Sequence, residues 1–303
     1  MTASPAFLGL NSHMPDGATP RMVIFGAAHG STYRDKDSSG YATAANAIRA
    51  ASQEDAPLVE HWDFDLGGPL FDGKPACCFD AGDLPTEMHD NARNRALIEA
   101  KTREILAMSA VPILLGGDDS VPIPFLAGFS DHGPIWIVQI DAHIDWRDEL
   151  HGERHGYSNP MRRASEMGHI AGMVQVGMRG VGSARRTEIE AAEAYGSRFV
   201  TAREVHAHGV DAALRHVPEG ARVVFTLDCD GLDPSLMPGV AARSPGGLTY
   251  TQVIDLIAGV GRRGRIVGFD LVELYPPADI DGISALTSAR LVTNVIGTIA
   301  RQP

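Results

Sequence analysis

The run Ile135-Trp136-Ile137-Val138-Gln139-Ile140-Asp141-Ala142-His143-Ile144-Asp145 divides at Ile140 into two unlike halves. The first half is a short, mostly apolar stretch rich in β-branched residues, the pattern of a strand buried on both faces of a parallel sheet. In the second half Asp141, His143 and Asp145 alternate with Ala142 and Ile144. A period of two places all three polar residues on one side if the segment stays extended. The same pattern recurs where the apolar run 223–227 leads into Thr226-Leu227-Asp228-Cys229-Asp230, so that Asp228 and Asp230 share a face. Two strand ends thus converge on one cluster, and in open parallel sheets ligands bind beyond the carboxyl ends of the strands.

Outward from this stretch, short β-branched runs alternate with longer segments of helical period, which predicts an α/β fold. Strands are expected at 22–27, 76–79, 111–115, 135–140, 173–177, 199–200, 223–227 and 266–269. Helices are expected at 42–52, 90–108, 183–195 and 249–261, with Asp90 and Thr249 as N-caps. No internal repeat or low-complexity linker interrupts the chain, so residues 1–303 read as one domain. Proline- and glycine-rich stretches at 15–20 and 66–75 give it an irregular N-terminal edge over about residues 1–20.

With 44% hydrophobic residues, 33 glycines and 21% charged residues the chain can bury a sizeable core and needs many turns. Its formal charge of −12 repels phosphate backbones and anionic lipid surfaces, which argues against nucleic-acid or membrane binding and for cationic partners. The three cysteines, Cys77, Cys78 and Cys229, make no disulfide framework, which suits a reducing cytoplasm. The first residues lack a basic region followed by an apolar stretch, and no run of about 18 apolar residues occurs, so neither export nor a membrane span is expected.

An isolated Asp-x-Asp is ordinarily a cap or turn. Two alternating acid sets that each follow a strongly apolar strand are not required by local turn chemistry. Carboxylates brought together in a semi-buried place need a compensating positive charge, and divalent metal ions supply it.

Three motifs in order, Gly116-Gly117-Asp118-Asp119-Ser120, Asp141-Ala142-His143-Ile144-Asp145 and Asp228-Cys229-Asp230-Gly231-Leu232-Asp233-Pro234, resemble the metal-binding motifs of the ureohydrolases, the arginase and agmatinase family. His155-Gly156 and Glu273 in Val-Glu-Leu extend the resemblance over nearly the whole chain. The resemblance implies an arginase-like three-layer α/β/α fold with a mostly parallel sheet of about eight strands, assembled as a homo-oligomer, a trimer or hexamer. It implies two divalent metal ions, Mn²⁺ first, bridged by a hydroxide that hydrolyses a guanidino compound to an amine and urea. Asp141, Asp145 and Asp228 would be shared ligands, and His143 and Asp230 would complete one metal's shell. Glu273 would hold the guanidinium, His155 would shuttle protons at the mouth, and Asp118 would orient the ligands from behind.

At Asp119 the family pattern has a histidine. An ionised Asp119 takes the net charge of ligands, two dications and hydroxide from roughly −1 to roughly −2. That weakens the pull on bound water and moves the optimum to more alkaline pH. Mostly oxygen ligands suit Mn²⁺, with Ni²⁺ and Co²⁺ also allowed. If Asp119 is no ligand, the site holds one metal.

Other readings are weaker. A deacetylase-type metal amidohydrolase would carry a histidine pair that is missing here, and Gly116-Gly117 lacks the lysine or spacing of a nucleotide loop. A catalytically silent subunit that keeps the fold and supports an active partner is the main rival. Arg162-Arg163 reads as the solvated face of a helix starting near Pro160, Cys229 as a buried structural thiol, and His29 as a neighbour of the site without a metal role. The substrate's tail would be read by loops at 146–160 and 31–40. The acidic surface leans toward agmatine, which has no carboxylate.

Overall fold

The computed structural model describes residues 5–13, 19–73 and 78–302. Eight strands form one sheet in the order β2-β1-β3-β8-β7-β4-β5-β6, and every pair in it is parallel. They are β1 (Met22–Ala27), β2 (Cys78–Asp83), β3 (Val111–Gly116), β4 (Ile135–Ile140), β5 (Ile170–Val176), β6 (Arg198–Val200), β7 (Arg222–Asp228) and β8 (Arg265–Val272). Helices cover both faces and divide the core into two apolar clusters. One joins the sheet to α1 (Ala44–Ala51), α8 (Tyr250–Arg263) and α9 (Ile283–Arg301). The other joins it to α2 (Asn91–Ala107), α3 (Pro122–Ala127), α4 (Pro160–Ala164) and α5 (Arg186–Tyr195). Two further short helices, α6 (Ala202–His208) and α7 (Asp211–Leu214), connect β6 to β7.

Thr249 caps α8 as expected, its hydroxyl accepting from Gln252 N in a reciprocal capping box. Asp90 precedes α2, but its side chain makes no cap hydrogen bond. The expected strand at 76–79 begins outside the described residues, where Ala76 and Cys77 lie, and β2 runs on to Asp83. Its outer half is polar because it is a sheet edge, and Asp80 pairs there with the buried guanidinium of Arg49 at 2.7 Å. Helix α9 is absent from the elements expected above. Its Ile, Val and Thr content reads locally as strand, yet it is a core helix, and 72% of its most apolar stretch is buried.

Chain order and sheet order part company in the middle of the sheet. After β3 the chain passes over two strand positions to β4, runs outward through β5 and β6, and returns to fill the gap with β7 and then β8. The carboxyl ends of β3, β8, β7 and β4 are therefore neighbours, and this is the crevice at which an open parallel sheet binds its ligand.

Candidate metal centre and substrate cleft

Each of the four central strands delivers acid side chains to this crevice. From β3, Gly117 lets the chain turn against β1, since a Cβ there would collide with the Ala28 carbonyl, and Asp118 and Asp119 follow. From β7, Asp228 is the last strand residue and the chain folds at once into a single 3-10 turn, Cys229–Gly231, with Asp228 Oδ1 accepting from Asp230 N at 2.7 Å. Gly231 packs directly on Ile140 and the Asp141 amide, where a Cβ would not fit, and this close approach sets Asp230 beside Asp141. Strand β4 ends at Ile140, and the segment beyond it curls, with Asp145 at φ +46°. The expectation that simple strand alternation aligns the acids is thus corrected. Side chains converge because the chain turns sharply just beyond each strand, where ladder pairing has stopped.

Two groups of potential ligand atoms result. Asp141, His143 and Asp230 form one, and Asp119, Asp141 and Asp228 form the other, each with its atoms within 4.8 Å of one another. Asp141 belongs to both. His143 Nδ1 lies 3.2 Å from both Asp141 Oδ1 and Asp230 Oδ2. Asp145 joins through a buried amide, for Gln139 Nε2 donates to Asp141 Oδ2 at 2.7 Å and to Asp145 Oδ2 at 2.8 Å. Gln139 is itself fixed, its carbonyl accepting from Gln175 Nε2 at 2.6 Å, while Ser197 Oγ donates to the Gln175 carbonyl at 2.7 Å. This relay across β4 and β5 dictates which way each amide faces.

Burial, followed by mutual repulsion, pushes Asp119, Asp141 and Asp228 well above the usual carboxylate range. Burial works to lower the His143 imidazole, but the hydrogen bond and charge of Asp230, with the charges of Asp145 and Asp228, raise it to about 9. Burial likewise works to raise Asp230, and His143 holds it below its ordinary value. Asp119 Oδ2 is buried without a hydrogen-bond partner among the described residues. Oxygen-rich donors, two ligand groups sharing Asp141, and an unpartnered carboxylate oxygen together fit a pair of divalent cations.

Glu273 follows β8 at φ +64°, with Oε1 accepting from Asp119 N at 2.8 Å and Oε2 from the Tyr41 hydroxyl. Burial pushes its carboxyl up to about 8, against the pull of those hydrogen bonds. A cleft of about 290 Å³ opens over the cluster, with Asp119, His143, Asp145, Asp228, Asp230 and Glu273 at its floor and Trp146, Arg147, Tyr157, Ser158, Gly182, Ser183 and Glu188 along its walls.

The other residues singled out above fall as follows. His155 is not part of the cleft lining; its Nδ1 lies 3.3 Å from Glu153 Oε1, and burial with the Arg95 charge lowers its pKa. Asp118 Oδ1 accepts from Ser120 N at 3.0 Å, and the carboxyl adjoins His29, which is buried and bonded to Ser38 at 3.1 Å. Loop 31–40 supplies an adjoining cleft, which shares Tyr157 and Glu273 with the first. Arg163 binds Asp148 at 2.5 Å and Arg162 binds Glu166 at 3.2 Å, away from the cleft. Cys229 turns from the metal side toward Ser288 Oγ, at 3.8 Å.

Sequence reasoning missed Gln139 and Gln175, although a polar residue inside each of two apolar runs was a usable signal, and they are cross-strand partners. It also missed Arg179, whose guanidinium donates to the carbonyls of Asp230, Leu232 and Ser244 at 2.5, 3.1 and 2.7 Å and so clamps the turn that carries Asp230.

The arginase family profile matches residues 20–297. The chain belongs to the arginase family. Proclavaminate amidinohydrolase of Streptomyces clavuligerus is 31% identical over 307 residues, covering 98% of this chain and 93% of that one. Its solved structure superposes with a TM-score of 0.85 at 28% identity, covering 100% and 99% of the two chains. The mitochondrial agmatinase of Gallus gallus is 31% identical over 245 residues, 79% of this chain and 71% of its own. Guanidinobutyrase of Pseudomonas aeruginosa is 29% identical over 245 residues, 79% and 76% of the two. The protein is accordingly a metal-dependent hydrolase of the arginase family, acting on the C–N bond of a guanidino group.

Proposed function

We propose that the protein hydrolyses a small guanidino compound to urea and the corresponding amine in the cleft above Asp141. The observation that carries this reading is the double membership of Asp141 in two adjoining ligand groups, with Glu273 beside them, its Oε1 accepting from Asp119 N. Two divalent cations on these groups would supply hydroxide at neutral pH, Mn²⁺ best suiting the oxygen-rich donors and Ni²⁺ or Co²⁺ also suiting them. Asp119, Asp141, His143, Asp145, Asp228 and Asp230 would hold them, Asp119 taking the place where the family pattern has histidine.

Glu273 receives the substrate's guanidinium in charge-assisted hydrogen bonds, which orient its planar carbon toward the aspartates. A bound guanidinium also favours the ionised carboxylate, reversing the upward push that burial gives Glu273. Asp145, on the cleft floor and steadied by Gln139, takes a proton during attack and returns it to the departing nitrogen. One water is consumed, the bond from the guanidino carbon to the tail nitrogen breaks, and the amine leaves protonated beside urea. His155 stands outside the lining, so in this reading the proton transfer at the bond-breaking nitrogen falls to Asp145.

The direct test is urea release from a panel of guanidino compounds, using protein stripped of metal and refilled with Mn²⁺, Ni²⁺, Co²⁺ or Zn²⁺ in turn. Turnover with at least one ion is expected. Silence with all four would replace this reading with that of an inactive or partner-dependent subunit. Asp119→His is expected to tighten metal binding by calorimetry, because the longer imidazole reaches an ion that the shorter aspartate holds loosely, and to move the rising limb of the pH–rate profile to lower pH, because it removes one negative charge from the shell. An unchanged affinity and profile would show that Asp119 does not govern the metals' charge.

A further inference from the structure

We infer that Arg147 binds a carboxylate at the far end of the substrate, so that the compound hydrolysed is a guanidino acid and not a guanidino amine. This rests on the reading of the cleft as a ureohydrolase site and names the substrate class that site takes.

Arg147 stands two residues beyond Asp145, on the wall of the same cleft. Its backbone is pinned at both ends, the amide donating to Ser158 O at 3.0 Å and the carbonyl accepting from the buried Asn159 Nδ2 at 2.7 Å. The guanidinium is thereby positioned, yet nothing among the described residues satisfies it. Its Nε is buried and has no hydrogen-bond partner there. The acid paired with it, Glu188, lies 3.8 Å from Nε, beyond hydrogen-bond reach. Glu188 is already engaged, Oε1 accepting from Arg185 Nη1 at 2.9 Å and Oε2 from Arg185 N at 2.7 Å.

The neighbouring arginines are different. Arg154 and Arg163 hold Asp148 at 3.1 and 2.5 Å, Arg162 holds Glu166 at 3.2 Å, and Arg179 is saturated by carbonyls. Arg163 Nε is buried without a partner too, but its Nη2 is held by Asp148, whereas the Arg147 guanidinium makes no hydrogen bond among the described residues. A buried donor without a partner is destabilising, and a planar five-donor group matches a carboxylate in two parallel hydrogen bonds. The ligand that completes it is an anion.

Carboxylates at the floor are offset by metal ions and by the substrate's own guanidinium. Of the two charged side chains along the wall, Glu188 is already held by Arg185 from outside the lining, which leaves Arg147 as the cation a substrate carboxylate would meet. The formal charge of −12 points the other way for the molecule as a whole. Surface charges more than about 8 Å off are largely screened at physiological salt, so the local balance decides.

The test compares the metal-loaded wild type with Arg147→Lys, Arg147→Ala and Arg147→Glu. It measures urea from 3-guanidinopropionate, 4-guanidinobutyrate and agmatine, and calorimetric binding of 4-guanidinobutyrate. The wild type is expected to prefer an acid over agmatine in kcat/KM. That ratio should fall roughly 100-fold in Arg147→Ala, mainly through KM for the acid, fall less in Arg147→Lys, and invert in Arg147→Glu. A wild type that prefers agmatine, or an alanine variant that loses both substrates equally, overturns the inference. Should a variant fail to fold, the wild-type preference still decides. If no compound yields urea but 4-guanidinobutyrate binds and Arg147→Ala weakens it, the hydrolysis reading falls and the arginine assignment stands. Urea from agmatine alone does the reverse, keeping hydrolysis and removing the arginine assignment. Neither urea nor Arg147-dependent binding removes both.

Discussion

Asp141→Asn is expected to lower urea release by roughly 1000-fold or more, with metal content falling in parallel and the far-ultraviolet circular dichroism unchanged. Asp141 is the one side chain common to both ligand groups, so an amide in its place weakens both at once. The fold should tolerate the change, because Asp141 contributes no apolar packing and burial with like charges already disfavours its ionised form. Asparagine keeps the Oδ1 acceptor for His143 N, now 2.6 Å away, but its amide nitrogen cannot accept from Gln139. Activity within tenfold of wild type in Asp141→Asn would remove Asp141 from the metal centre.

The second large effect concerns the metal-free protein, which is expected to lose stability as pH rises. Burial raises Asp270 to about 7, against the hydrogen bond from Thr226, and raises Glu273 to about 8. Asp119, Asp141 and Asp228 move in the same direction. When the folded-state pKa is raised, the native form binds more protons than the unfolded chain. The stability is then full below the unfolded value near 4 and is lost as pH climbs through the folded one. For Asp270 alone, a shift from 3.8 to about 7 is on the order of 4 kcal/mol. Melting temperatures of chelator-treated protein should therefore fall by roughly 10 °C or more between pH 5 and pH 9. Refilling with Mn²⁺ should flatten the curve, because cations replace protons on the clustered aspartates. The window starts at pH 5 because groups held below their usual range, such as Asp230 and Asp148, cost stability under more acidic conditions. A melting temperature that rises over this window would contradict the burial of unpaired carboxyls.

What could be read from the sequence, and what could not, divides along physical lines. Strands β1, β3, β4 and β7 were legible because burial on both faces demands continuous apolar runs. The outer half of edge strand β2 and helix α9 were not, since the one is polar where solvent meets it and the other is built of residues that locally favour strands. The acids of the centre stood out by type and order. Their convergence did not, because it depends on the φ of +46° at Asp145 and on the single turn at Cys229–Gly231. Tyr41 reaches Glu273 across 232 positions of sequence, and Arg179 reaches Asp230 across 51. No local pattern announces such pairs. Arg147 lies within the loop at 146–160 expected to read the substrate's tail, but an arginine in a polar loop carries no signal until its missing partner is seen.

The gap in the middle of the sheet has a consequence for biosynthesis. Strands β3 and β4 emerge early and never touch, and the two strands that separate them leave the ribosome last. Until residues 222–272 arrive, the nascent chain presents two apolar edges with unpaired backbone groups, an invitation to wrong pairing. Asp119 and Asp141 cannot meet Asp228 before that closure, so metal capture is a late event that seals a completed sheet and does not guide its assembly.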